Sequence, residues 1–343
     1  MPRCSALPAP TAYEEVRDLF YAHQNHFDDL DRAAEAIVDD ADLVVGDMAT
    51  GLSERLRSRH GVVVVESDDD TDVKRRYDAS SRTLVLSSLL GPGQRAFQLA
   101  TNIALLELGD LLDRHVEGAD LTGEETRSLA RIGLANYAAG AMILPYGPFR
   151  RAAEELRYDI DLLGRRFRVG FETVAHRLST LQRTGERGIP FILVRVDRAG
   201  NISKRQSATD FHFSRVGGTC PLWNVYEAFS HPGEIRTQVA EMPDGRSYLW
   251  VARTVTHRLG GFGAPVTAFA IGLGCDLHHA DRSVYGDGLD LVSPAARTPI
   301  GPGCKVCDRT ACHQRAFPAI GRPLEVDRDR SDFLPYRFRG ESA

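Results

Sequence analysis

Three of the six cysteines in this 343-residue chain, Cys304, Cys307 and Cys312, lie within nine residues of one another, and Cys275 precedes them. Thiolates are soft ligands that suit zinc or iron–sulfur clusters, and a CxxC pair can offer two sulfurs from one tight turn. The glycines and proline of residues 301–303 favour such a turn. This density of cysteine predicts metal or cluster binding by these four residues, with unligated thiols or a disulfide as the alternative.

The spacing of the cysteines favours iron–sulfur over zinc only modestly. A zinc ribbon prefers two CxxC pairs and a ferredoxin-type run keeps its cysteines two apart, and neither arrangement occurs here. Three local cysteines with a fourth from elsewhere can hold one [4Fe–4S] cluster, so that cluster is expected, with zinc as the alternative. Cys4 and Cys220 have no visible partner and are expected to be inert. Three histidines are further candidate ligands, although each is more typical of an ordinary surface position: His278, His279 and His313.

The bulk composition is that of an ordinary globular protein, with 43% hydrophobic and 26% charged residues. A net charge of −5 argues against a protein that wraps nucleic acid over its whole surface. No apolar run approaches the length of a membrane helix, and residues 1–10 lack the features of a signal peptide. Because the cysteines are grouped like ligands, a reducing cytoplasm is expected, with no membrane contact.

Apolar residues at helical spacing predict a largely helical first half. Helices are expected within residues 13–60, over Gln94–Leu112 and over Glu124–Ile143, with a strand pair at Arg75–Tyr77 and Thr83–Ser87. Two more helices, Ile160–Phe167 and Phe171–Leu181, have helix-turn-helix spacing and several arginines. An apolar stripe along the second of them favours a structural hairpin over a DNA-binding one.

From Gly185 the pattern changes to β, with antiparallel strands and one short helix, Trp223–Ser230. This arrangement is typical of a small α+β module. The strands are predicted at Pro190–Val196, Gln238–Glu241, Ser247–Thr256 and Pro265–Leu273. A basic run crosses the first hairpin of this part and consists of Arg195, Arg198, Lys204, Arg205 and Arg215. Aromatic residues lie close to it in sequence: Phe211, Phe213, Trp223 and Tyr226.

Two helical segments, RAFQLATNIALLELG and LANYAAGAMILPYGPF, resemble the IrrE/ImmA metallopeptidase-like fold. Active members of that fold carry HExxH on the first helix and a glutamate ligand on the second. The HExxH positions fall here on Thr101, Asn102 and Leu105, and the third ligand falls near Leu134. Since a zinc protease needs two imidazoles, a carboxylate ligand and a general base, the resemblance implies a retained scaffold without protease chemistry. The chain is therefore expected not to be an enzyme, with an acyl-CoA-processing activity as the alternative.

Three later segments resemble the C-terminal region of the short-chain fatty acyl transcriptional regulators: VRVDRAGNISKRQSATDFHFSRVGGTCPLWN, IGLGCDLHHA and TPIGPGCKVCDRTACHQRAFPAIGRPLEVD. Both resemblances together cover about residues 60–325. Members of this regulator family usually begin with a helix-turn-helix DNA-binding domain, and nothing before residue 60 has that pattern. This chain is therefore similar to the ligand-binding part of such a regulator.

The resemblance implies an intracellular regulator of propionate metabolism that binds short-chain acyl-CoA, such as propionyl-CoA, and holds an iron–sulfur cluster on its cysteines. Coenzyme A needs Lys and Arg for its phosphates and a flat group for its adenine, which the basic run and its aromatic neighbours can supply. An acyl tunnel could derive from the former protease cleft, lined by Tyr137 and Tyr146. Promoter DNA, bound through a helix-turn-helix domain absent from this chain, and a second copy of the chain are the expected partners. A zinc-stabilised interaction domain is the alternative function.

The expected fold is α+β, with a helical N-terminal part containing the degenerate peptidase-like domain and an antiparallel sensor-like module ending in a cysteine-rich loop. The expected segments are a helical linker or dimerisation segment (1–60), the peptidase-like domain (61–150), the helical hairpin (151–188), the α+β ligand-binding module (189–274), the cysteine-rich region (275–326) and a tail (327–343).

Overall fold

The computed structural model describes residues 10–68, 73–209, 219–258 and 262–339. The chain divides into two compact units. The first comprises Met1–Leu156, Ile160–Gly188 and Leu259–Pro265, and the second comprises Arg157–Asp159, Ile189–Arg258 and Val266–Ala343. Within the described ranges, no helix has both the length and the apolar character needed to cross a membrane.

The first unit is built mainly from helices packed around one central helix. In chain order these are α1 (Ala12–Ala22), α2 (Asp28–Asp40), α3 (Met48–His60), α4 (Pro92–Glu107), α5 (Gly109–Glu117), α6 (Gly123–Ile143), α7 (Tyr146–Glu155), α8 (Ile160–Phe167) and α9 (Phe171–Leu178). Helix α6 packs against α1, α2, α4 and α5. Its buried face is rich in alanine, which allows neighbouring helices to approach closely.

A three-stranded sheet accompanies these helices, formed by β1 (Val63–Ser67), β2 (Arg75–Asp78) and β3 (Thr83–Ser87). The strand order is β1-β3-β2, with β1 parallel and β2 antiparallel to β3. The predicted strand pair is confirmed. The third strand, β1, begins with three valines to which no element was assigned from the sequence.

The long helix predicted over Gln94–Leu112 is interrupted in the structure. Helix α4 ends at Glu107 and α5 begins at Gly109, because Leu108 has a non-helical backbone with φ −109° and ψ 14°. Glycine at the next position is a poor helix former, so the break falls where propensity is lowest.

The arginine-rich hairpin of α8 and α9 turns through Arg168, whose φ is +56°. Val174 and Leu178 on α9 are fully buried, so the apolar stripe faces the core. Arg177 is also buried, at 2% exposure, and pairs with Asp31 of α2. A recognition helix needs exposed cations for DNA, so this inward arginine supports the structural interpretation.

The second unit is a six-stranded sheet of order β5-β4-β8-β7-β6-β9. Its elements are β4 (Ile192–Val196), β5 (Ile202–Ser207), α10 (Asn224–Glu227), β6 (Arg236–Glu241), β7 (Ser247–Arg258), β8 (Val266–Asp276) and β9 (Thr298–Pro299). The neighbours are antiparallel except for β9, which runs parallel to β6.

One face of this sheet packs against the segment that contains α10. The Trp223 ring meets Trp250 of β7 edge-to-face, with centroids 4.5 Å apart. Gly274 of β8 leaves the space that Trp250 occupies, since a Cβ there would lie 2.7 Å from the indole. This packing fixes the loop that begins at Cys220.

Strand β9 brings the cysteine-rich segment to the edge of the sheet. The Ile300 N–H donates to the Glu241 carbonyl of β6 at 3.0 Å. The described chain is thus mixed α+β, with a helical first part and a sheet-based second part, and the predicted fold class is confirmed.

Candidate metal centre and ligand-binding surface

The positions that correspond to the peptidase motif carry no metal ligands. Thr101, Asn102 and Leu134 are buried, and Leu105 is half-buried. The Thr101 hydroxyl donates to the Phe97 carbonyl of its own helix at 2.8 Å. The Asn102 side-chain carbonyl accepts from the Arg75 guanidinium at 3.3 Å. Leu134 is fully buried. This arrangement offers neither a zinc site nor a general base.

Four cysteines line one cavity in the second unit: Cys220, Cys304, Cys307 and Cys312. The walls of this cavity also include Gly301, Gly303, Arg309 and Arg315. Cys220 comes from the loop before α10, whereas the other three come from the loop after β9. Two parts of the chain more than 80 residues apart therefore place their sulfurs around the same space.

Cys275, which the sequence places in the predicted ligand set, is not among the residues that line this cavity. It lies near the end of β8, opposite Leu249 of β7, and is 1% exposed. Burial, with the neighbouring Asp276 carboxylate, raises the pKa of its thiol to about 12. Strand pairing holds Cys275 in β8, and it is not at the cavity wall, although its spacing along the chain grouped it with the other cysteines.

Cys220, expected to be inert, lies at the wall of this cavity. Burial raises the pKa of its thiol, N–H groups of Leu222 and Gly301 lower it, and the Cys304 and Cys307 thiolates raise it further. The effect of Cys304 and Cys307 on this pKa reflects their position beside Cys220 at the wall of the same cavity. A signal was present in the sequence, because Cys220 is followed by Pro221, the Cys-Pro pair that closes ferredoxin-type runs.

The backbone around the cavity is shaped to approach sulfur. Leu222 and Gly301 direct N–H groups at the Cys220 sulfur, and the Ala316 N–H donates to Cys304 Sγ at 3.4 Å. Such N–H donors are typical of iron–sulfur sites. A Cβ at Gly301 would lie 2.6 Å from Cys307 Sγ, so this position cannot carry a side chain without displacing the cysteine.

The sulfurs surround the cavity without converging on one point. Among the residues that the structure describes, no three His, Cys, Asp or Glu side chains are placed to hold a single metal ion. The three candidate histidines are not among the lining residues of the cavity. His278 instead pairs with Asp276 at 2.6 Å, and His313 is exposed.

The register of the sheet divides the predicted basic run between two faces. Arg195 of β4 lies directly opposite Lys204 of β5, so both side chains share one face. Arg195 and Arg253 of β7 are each paired with Ile271 of β8, which extends the same row across four strands. We call Lys204, Arg195 and Arg253 the basic row. The Arg195 guanidinium also lies 4.7 Å from the centre of the Phe269 ring.

The other predicted basic residues lie elsewhere. Arg205 is opposite Val194, a core residue, and so faces the side of the sheet covered by α10. Arg198 lies in the β4–β5 turn, 6.0 Å from the centre of the Phe229 ring. Arg215, with the predicted aromatic neighbours Phe211 and Phe213, falls outside the described residues. Arg253 was missed because only strand pairing, and not sequence distance, connects it to Arg195.

Tyr137 and Tyr146 belong to a buried polar network in the first unit. The Tyr137 hydroxyl donates to the Asp31 carboxylate at 2.7 Å, and this ring is 3% exposed. The Tyr146 hydroxyl donates to the Glu186 carbonyl at 3.0 Å and accepts from the Arg183 N–H at 2.9 Å. Both hydroxyls are therefore committed within the core, and the expectation that these rings line an acyl tunnel has no support in their contacts.

Two family patterns match this chain in succession. The IrrE N-terminal-like domain matches residues 57–179. The C-terminal region of the short-chain fatty acyl coenzyme A regulators matches residues 180–336. The second match contains the basic row and all four cysteines of the cavity.

Several curated proteins are similar along nearly the whole chain. The transcriptional regulator PrpR of Mycobacterium tuberculosis is 56% identical over 97% of this chain and 69% of its own length. RamB of the same organism is 55% identical over 94% of this chain and 69% of its own length. A propionyl-CoA carboxylase regulator of Cereibacter sphaeroides is 47% identical over 96% of this chain and 70% of its own length.

A solved structure of a Mycobacterium tuberculosis transcriptional regulator has the same fold. The TM-score is 0.93 at 55% identity, and the match covers 96% of this chain and 100% of the other. With an IrrE-like part followed by a sheet that carries the regulator-type cysteine loop, this chain belongs to the short-chain fatty acyl-CoA regulator family.

Proposed function

We propose that this chain senses short-chain acyl-CoA, with propionyl-CoA as the first candidate, as the ligand-binding part of a cytoplasmic transcriptional regulator of propionate metabolism. The observation that carries this proposal is the basic row, in which Lys204 lies opposite Arg195 and Arg253 lies one strand further along the same face, beyond Ile271. Like charges directly opposite one another destabilise a sheet. An anion that lies across the row would offset this repulsion between the cations.

Coenzyme A suits this surface because it carries three phosphate groups, two in its pyrophosphate and one on its ribose. Arginine binds phosphate through paired N–H donors, and lysine adds a compact charge. Phe269 stacks beneath Arg195 and offers a flat apolar group at the same end of the sheet. The acyl group would extend from this row, and its contacts determine which chain length is preferred.

The cysteine cavity is proposed to hold an iron–sulfur cluster on Cys220, Cys304, Cys307 and Cys312. Zinc holds its sulfurs at about 2.3 Å and so draws them close together. A [4Fe–4S] cluster spaces its four thiolates more widely, and this agrees with sulfurs that line a cavity without converging. When bound, the cluster would cross-link the loop before α10 to the loop after β9.

Binding of the acyl-CoA is proposed to change the affinity of the whole regulator for promoter DNA. A ligand shifts a conformational equilibrium only as far as it binds one state more tightly than the other. DNA would be contacted by a helix-turn-helix domain of the kind for which the relatives PrpR and RamB are named, acting in a homodimer. No catalytic step is proposed, because the peptidase positions carry Thr101, Asn102, Leu105 and Leu134.

Calorimetric titration tests the ligand class directly. Propionyl-CoA, free coenzyme A and free propionate are titrated separately into the purified chain. We expect propionyl-CoA to bind, coenzyme A to bind more weakly, and propionate alone to give no heat of binding. Failure of both coenzyme A ligands to bind would reject the proposal, and turnover of the thioester in the same cell would indicate an enzyme instead.

A further inference from the structure

Arg315 is a buried cation at the wall of the cysteine cavity, and its side chain is 4% exposed. Among the residues described, no carboxylate lies within ion-pair distance of it, and its Nε atom has no hydrogen-bond partner. Its charge is instead offset by backbone carbonyl oxygens, which accept hydrogen bonds from both of its terminal nitrogens.

The guanidinium of Arg315 also connects separate residues of the cysteine loop through hydrogen bonds to their carbonyls. One terminal nitrogen donates to the Cys304 carbonyl at 2.8 Å, and the other donates to the Cys307 carbonyl at 3.0 Å. A further bond reaches the Arg309 carbonyl. The carbonyls of two proposed ligands are thus held by one rigid, planar group, which fixes the direction in which their side chains leave the backbone.

The C-terminal segment encloses this arginine from the other side. A β-bridge between Leu324 and Phe338 folds residues 324–338 back toward the loop. The Phe338 ring is 1% exposed, with its centre 5.4 Å from the Arg315 guanidinium and 4.7 Å from that of Arg322. Phe338, in the segment expected to be a tail, therefore packs against Arg315.

We propose that Arg315 is the positioning residue of the cysteine site. Its hydrogen bonds to the Cys304 and Cys307 carbonyls hold the backbone from which two proposed ligands extend. This inference rests on the proposed cofactor site and adds Arg315 to the residues that shape it.

The test compares Arg315→Gln and Arg315→Lys with Arg322→Gln in the full chain. The Arg322 variant is the matched control, because it removes a second cation from the same Phe338 ring but does not touch the carbonyls of the cysteines. Each protein is analysed for iron, sulfide and zinc, and is then stripped and titrated with Zn²⁺ against a competing chelator.

Loss of a residue that orients metal ligands typically weakens metal affinity by about 10- to 100-fold. We expect that loss for Arg315→Gln, a smaller loss for Arg315→Lys, which keeps the charge without the planar fork, and less than a twofold change for Arg322→Gln. Equal affinity of Arg315→Gln and Arg322→Gln would overturn the role of Arg315. A wild-type chain that takes up neither cluster nor Zn²⁺ would overturn the cofactor site itself.

Hydrogen exchange of the unmutated chain provides a second test in case Arg315→Gln does not fold. Amides of residues 301–320 should exchange faster in the stripped protein than in the loaded protein. Amides of the β7 and β8 strand centres should exchange equally in both and serve as the control. Equal protection of the loop in both forms would contradict the proposal that this loop holds the cofactor.

Discussion

Cys220 and Cys275 show that distance along the chain differs from distance in the fold. Cys275 lies closer along the chain to Cys304, but its place near the end of β8 turns it into the core. Cys220 lies 84 residues before Cys304 and yet faces the same cavity. The grouping of the three loop cysteines could be predicted because they are local. Whether a further cysteine lies beside them depends on which loops meet at the sheet edge, and the strand order determines that.

Replacement of Cys220 and of Cys275 in separate variants distinguishes a cysteine that binds the proposed cofactor from one that does not. Cys220→Ala should lower the iron and sulfide content of the purified chain, or its zinc content, to less than half, since a four-ligand site loses one ligand. Cys275→Ala is the matched control, because it removes an equally buried thiol that the cavity does not use. Metal analysis of both proteins decides the matter. Normal cofactor content in Cys220→Ala with loss in Cys275→Ala would restore the assignment made from the sequence.

At the scale of elements, β5 shows that composition does not reveal which face of a sheet a charged residue occupies. The sequence predicts one basic run, but alternate residues of a strand face opposite sides of the sheet. The register shifts between Arg195 and Val196, so Lys204 and not Ser203 lies opposite Arg195. A bulge of this kind depends on local pairing and leaves no distinct pattern in the chain. The helices of the first unit were easier to predict, because their apolar periodicity is long and regular.

The junction of α2, α6 and α9 is held by a buried carboxylate, which makes it sensitive to pH. Burial raises the pKa of Asp31, but the Arg177 charge and hydrogen bonds from His26, Arg177 and Tyr137 lower it to about 2. Because the folded pKa lies below its ordinary value of 3.8, the stabilisation is fully present above that value and is lost as the pH falls through 2. This depression corresponds to about 2 kcal/mol.

Urea unfolding of the wild type and of Asp31→Asn between pH 6 and pH 2 measures this contribution. The free energy of unfolding of the wild type should fall by about 2 kcal/mol more than that of Asp31→Asn over this interval. The variant should be less stable at pH 6, because it leaves Arg177 buried without its counter-charge. Parallel stability curves for the two proteins would show that Asp31 does not titrate as the network implies.

For the whole molecule, the family and the mixed α+β fold follow from motifs that lie in continuous segments of the chain. The proposed ligand surface and the cysteine cavity do not, because each is assembled from strands or loops distant in sequence. The basic row takes its residues from β5, β4 and β7, and the cysteine cavity joins the loop before α10 to the loop after β9. Most of these residues occur in the chain as local groups, and the topology of the sheet determines which of them lie together.

The central claim, that acyl-CoA binds across the basic row, is tested most directly by titrating propionyl-CoA into Lys204→Gln and Arg205→Gln. These residues are adjacent on β5, carry the same charge and face opposite sides of the sheet. A hydrogen bond to a charged group is worth about 1.5–3 kcal/mol, so Lys204→Gln should weaken binding by about 10-fold or more, while Arg205→Gln binds like the wild type. Equal weakening in both variants, or a loss confined to Arg205→Gln, would contradict the claim.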